Sequence, residues 1–77
     1  MFLEGNVDWV KMKRGFRDIE KAYPHSRWIL NNFCWFAWHA GDKETAKELF
    51  ARIGDKPYIN TWELPSVFEQ AKQWANQ

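Results

Sequence analysis

The chain has a single cysteine, Cys34, so no disulfide can close within it, and the thiol suits a reducing, cytoplasmic setting. Net charge is nearly absent as well. Eleven basic and ten acidic residues leave +1, which provides no global field to select nucleic acid, an anionic membrane or an acidic ligand. Long hydrophobic runs are missing: the longest, Phe33 to Trp38, falls far short of the ~20 residues that span a bilayer. The opening MFLEGNVDW has too few apolar residues for a signal peptide. No β-branched run, alternating pattern or low-complexity segment occurs. There is no phosphate loop, nucleophile motif or metal box. Cys34 and His39 stand five apart, about 140° round a helix, and His25 adds no ligand spacing, so no metal or cofactor is expected.

What is abundant is aromatic area. Six tryptophans and six phenylalanines in 77 residues give a short chain a way to bury large surfaces per side chain, or to offer them to a partner. At this length one domain, residues 1–77, is expected.

The periodicity predicts an all-α protein of four helices, at about 8–22, 27–40, 43–53 and 66–76. In the first, Trp9, Met12, Phe16, Ile19 and Tyr23 step at helical spacing and form one apolar stripe. Asn6 or Asp8 can cap its start, Pro24 ends it, and Gly15 within it is expected to admit a close neighbour. Lys13, Arg14, Arg17 and Lys21 form a basic face opposite the stripe, diluted by Asp18 and Glu20. A nucleic-acid site would need stacking aromatics beside such a patch, so this face is expected to be solvated.

The second helix, capped by Ser26, is apolar nearly all round. Ile29, Phe33, Phe36 and Ala40 occupy one face, with Leu30, Cys34, Ala37 and Trp38 on the next. Only a narrow strip of Asn31, Asn32 and His39, flanked by Trp28 and Trp35, reads as wet, so this helix belongs in the middle. Gly41 breaks it and Asp42 caps the third helix, where Ala46, Leu49, Phe50 and Ile53 face inward. Glu48 and Arg52 form an i,i+4 pair, and Gly54 ends the helix. Asp55 to Pro65 reads as a loop with room for one turn at Asn60 to Trp62. Ser66 and Glu69 read as a capping box for the last helix.

Leu30, Phe33, Gly41, Ala46 and Phe50 fall where a tetratricopeptide repeat has its apolar, turn, small and aromatic positions. The second and third helices therefore resemble one such repeat. Cys34 replaces the usual small residue, Ala37 the usual tyrosine and Tyr58 the closing proline, with Pro57 one position early. The strings DWVKMKRGF, YPHSRWILNNF and AGDKETAKELFARIGDKP are further similar to the C-terminal part of a bacterial family of unknown function with tetratricopeptide-like helices. This similarity covers about Asp8 to Trp74. Members of that family extend further on the N-terminal side, which implies that this chain corresponds to a terminal piece. The first helix would then be half of a preceding hairpin, and the last a cap.

The resemblance implies a groove on the face of the second helix turned away from its partner. Carried over, that face is Trp28, Asn31, Asn32, Trp35 and His39, with Trp38 at its edge. Exposed rings flanked by amides suit a protein or peptide ligand; the alternative is that the tryptophans pack on the first or last helix. The basic residues of the carboxylate-binding version of this groove are absent. Cys34, on an apolar face, reads as packing, and the carboxylates read as caps and surface, so no catalytic activity is expected. The function expected is protein interaction or scaffolding. The alternative is structural: a C-terminal cap, or a small protein that self-associates through its N-terminal helix, since one repeat cannot bury its apolar faces alone.

Overall fold

The computed structural model describes residues 7–77, with side chains from Trp9 onward. The described chain is all-α, with five helices and no strand: α1 (Val7–Ala22), α2 (Arg27–Ala40), α3 (Lys43–Ile53), α4 (Ile59–Trp62) and α5 (Pro65–Ala75). Asn6 lies outside the described residues, as does the side chain of Asp8. Among these residues no helix is long and apolar enough to cross a membrane.

Local chemistry fixes the α2–α3 turn. Ser26 Oγ accepts the Ile29 N–H at 3.2 Å, satisfying one free donor at the start of α2. At the other end Gly41 takes φ 76°, while the Asp42 and Gly41 N–H groups donate to Ala37 and Trp38 oxygens at 3.0 and 3.1 Å. This left-handed glycine cap stops α2. Asp42 then starts α3 by accepting the Thr45 N–H at 3.2 Å. The chain doubles back here. Arg27 Nη2 donates to Ile53 O and Cys34 Sγ to Ala46 O. Both pairs are centred on the turn, so α2 and α3 run antiparallel.

α1 lies along this hairpin, parallel to α3. Trp9 and Lys13 donate to Asp42, Arg17 donates to Glu48 through two bonds of 3.0 and 2.9 Å, and Arg52 meets Glu20 at 2.9 Å. The contacts advance together along both helices. Inward from this polar seam, Phe16 stacks on Phe33 with ring centres 4.8 Å apart, and the Arg17 guanidinium lies over the same ring, 4.9 Å from its centre.

The seam corrects one expectation and divides the apolar stripe. Trp9 and Phe16 of the stripe pack inward, whereas Met12, Ile19 and Tyr23 are exposed. The basic face is not simply solvated, since Lys13 and Arg17 are held by carboxylates of the hairpin. The helix has turned so that its ion pairs and Trp9 face α3. Gly15 has no close neighbour among the described residues, as a Cβ there would meet nothing within 4 Å of them.

The C-terminal part closes the other side of the hairpin. The expected turn near Asn60 is a short helix, α4, which inserts Trp62 into the core. Trp62 is only 1% exposed and sits 5.6 Å from Phe50 and 5.3 Å from Phe68, centre to centre. α5 begins one residue earlier than the expected Ser66 cap. Pro65 occupies the first turn, Leu64 precedes it, and no side chain caps the start. Proline has no N–H to satisfy there, which lessens the need for a capping box.

Candidate functional site

α2 presents Trp28, Asn32, Trp35 and Phe36 on consecutive turns, and the linker returns opposite them with Tyr58, Asn60 and Thr61. Between these walls is an open cleft of about 230 Å³. Helical geometry spaces the α2 residues along one side because positions three, four and seven apart share a face. The opposite wall is fixed by a buried amide. Asn31 Oδ1 accepts the Tyr58 N–H at 3.0 Å and the Trp62 indole N–H at 2.9 Å, and Asn31 Nδ2 donates to Arg27 O at 2.8 Å.

Asn31 is therefore not a groove residue. It was expected on the wet strip, but it is 0% exposed and lies behind the cleft. Its position on the helix matched the surface residues around it. Its partners come from the linker, 27 and 31 residues later, and cover it completely.

Asn32 reaches across the cleft floor. Its Nδ2 donates to Trp28 O at 2.8 Å and to Thr61 Oγ1 at 3.2 Å, tying α2 to α4. Trp28 is 58% exposed and projects at one end. Trp35 is half-buried, edge-on to Phe36 with ring centres 5.1 Å apart, so its orientation is set before any ligand arrives. No lining residue carries a formal charge. The cleft offers ring faces, amides and hydroxyls, which recognise uncharged extended chain better than ionic groups.

Of the six expected residues, Trp28, Asn32 and Trp35 come together. Trp38 lies apart: it is half-buried and packs toward Trp62, 6.0 Å away. His39 is exposed at the next turn, its ring centre 3.8 Å from that of Trp35. Partial burial lowers its pKa below the ordinary imidazole value. The tryptophans thus divide between the two expected fates, with Trp28 outward and the other two partly packed. Phe36, Tyr58, Asn60 and Thr61 were not anticipated as lining. The only advance signal was the aromatic and amide content of the linker, and nothing local said which wall it would meet.

Cys34 and Asp42, outside the cleft, are committed to structure. Burial pushes the Cys34 thiol well above its ordinary range, and its sulfur lies 3.9 Å from Ala46 O. Burial alone would raise the Asp42 carboxyl, but hydrogen bonds from Trp9, Lys13 and Thr45 outweigh it and hold the group at about 2. Among the described residues no three His, Cys, Asp or Glu side chains converge on one point. No protein-family model, curated protein or solved structure matches this chain.

Proposed function

We propose that this chain is a protein-interaction module that holds an uncharged, extended peptide segment in the cleft between α2 and the α4 linker. The observation that carries the reading is Trp28, a large ring left more than half exposed at the mouth of a cleft lined by uncharged described residues, whose Trp35 and Phe36 rings are already set edge to face. Rigid aromatic surface gives contact area at low entropic cost, and Asn60 and Asn32 can answer peptide N–H and C=O groups. In this reading the protein is cytoplasmic and non-catalytic. Its carboxylates serve as caps and ion pairs, and its one thiol is packing. The tetratricopeptide-like reading belongs here too. It is supported by the antiparallel α2–α3 register and by α1 running parallel to α3, as the second helices of successive repeats do.

The test is selection from a random peptide-display library against the folded chain. Enriched peptides are expected to be low in charge, and Trp28→Ala is expected to weaken them at least about 30-fold, the scale of a tryptophan hot spot. Peptides that bind Trp28→Ala and the parent chain equally well would remove this site from consideration. A second reading is structural. It is favoured by a different surface, the outward side of α1.

A further inference from the structure

A flank of α1, between its hairpin-facing side and its outward charged side, is apolar for about three turns. Met12 is 39% and Ile19 43% exposed, Tyr23 is more so, and Phe16 shows its outer edge between them. Gly15 lies in their midst, and a Cβ there would meet nothing within 4 Å among the described residues. The opposite edge of the helix is occupied by the seam to α3, where Lys13, Arg17 and Glu20 are all paired. The free edge differs. Lys11 and Asp18 are exposed there, seven residues and so about 20° apart around the helix. Neither makes an ion pair among the described residues.

We propose that this face docks on the same face of a second copy of the chain, with the two α1 helices antiparallel about a two-fold axis between Gly15 and Phe16. That axis sets Met12 against the partner's Ile19 and brings the outer edge of the partner's Phe16 over Gly15, where no Cβ obstructs it. A perpendicular two-fold keeps each free edge on the same side of the pair. Lys11 then falls within two residue rises, about 3 Å along the axis, of the partner's Asp18, and the reciprocal contact forms with it. A two-fold running along parallel helices would instead send the two free edges to opposite sides of the pair, so Lys11 could not reach the partner's Asp18. The charge pattern selects the antiparallel copy, and one self-complementary patch satisfies both subunits, as a two-fold interface requires.

The test is sedimentation equilibrium of the whole chain from about 1 to about 500 µM, spanning the weak end of specific association. A reversible dimer is expected. Lys11→Glu and Asp18→Lys are each expected to weaken it about tenfold, because each turns two attractive contacts repulsive. The combined Lys11→Glu/Asp18→Lys chain is expected to recover to within about threefold, since the pairs are restored with signs exchanged. Ile19→Glu is expected to abolish association. All these positions face solvent in the monomer, and circular dichroism melts of each variant establish that folding is intact. Trp28→Ala is expected to leave the dimer unchanged, which separates this surface from the peptide cleft. A monomer throughout the range overturns the proposal, and that is the result if the face instead receives a helix of another protein. A dimer insensitive to Ile19→Glu, or not recovered by the double exchange, overturns it equally.

Discussion

Asn31 Oδ1 accepts the indole N–H of Trp62 at 2.9 Å inside the core, joining α2 to a residue 31 positions later. The same oxygen accepts the Tyr58 N–H, so one amide holds both the linker and the core ring that α4 delivers. Substituting Asn31→Leu keeps much of the volume but leaves the buried Trp62 N–H and the part-buried Tyr58 N–H without their acceptor, at about 1–3 kcal/mol each, with the buried one at the upper end. A loss of about 3 kcal/mol is expected in urea unfolding, together with a red shift in tryptophan emission as Trp62 loosens. A loss below 1 kcal/mol would mean that the linker is held by something else.

Acid should weaken the fold through the α1–α3 seam. The Asp42 carboxyl sits at about 2, below its ordinary 3.8, and Glu48 is lowered from 4.5, chiefly by its hydrogen bonds with Arg17. Both groups bind fewer protons folded than unfolded. Their contribution is thus complete above about pH 5, shrinks as pH falls through the ordinary carboxylate range, and is gone below about pH 2. For partly exposed Asp42, solvent screening limits this to about 1–2 kcal/mol. Asp42→Asn retains an N-cap but not the charge. Urea midpoints measured against pH should fall less steeply for this variant between about pH 5 and 2 than for the parent.

Trp28 and Trp62 should behave oppositely when truncated. Trp62→Ala empties a site enclosed by Phe50, Phe68 and Trp38 and is expected to cost about 3–5 kcal/mol. Trp28→Ala removes a mostly exposed ring and should change stability by less than about 1 kcal/mol. Denaturant melts of the two variants decide this. If they are equally damaged, Trp28 is part of the core.

Glu63 carries φ 71° and ψ −48°, and the Leu64 N–H closes back on Trp62 O at 2.8 Å. This is a tight γ-turn in a region that side chains other than glycine rarely occupy, costing about 1–3 kcal/mol. Glu63→Gly relieves the strain and gives back about 0.5–1 kcal/mol in unfolded-chain entropy. A net gain of about 1 kcal/mol is expected in thermal or urea melts. A net loss would show that the turn is relaxed as it stands.

The signals that were legible in the sequence are local ones. Ser26, Gly41, Asp42 and Gly54 act within a few residues of themselves, so the hairpin and its ends could be read directly from their chemistry. The rotation of α1 could not. Its stripe of Trp9, Met12, Phe16, Ile19 and Tyr23 is a sound helical pattern, but Lys13, Arg17 and Glu20 find partners on α3, 29 to 32 residues away, and these turn the helix. Asn31 failed for the same reason. A polar residue beside Trp28 and Asn32 looks wet until a distant N–H arrives to cover it. Half of the expected cleft, Trp28, Asn32 and Trp35, followed from helical spacing alone. The other wall depended on where the linker returned, which the Asn31 bonds determine.

α1 packs on α2 and is tied to α3 through its ion pairs, whereas α5 packs on α3 and α4, so the two terminal helices rest on different parts of one central pair. Each can detach without the other needing to move. Native-state hydrogen exchange should therefore find three tiers of protection: slowest in α2 and α3, then two separate opening events, one that releases the first helix with its ladder of charges and one that releases the last with Phe68.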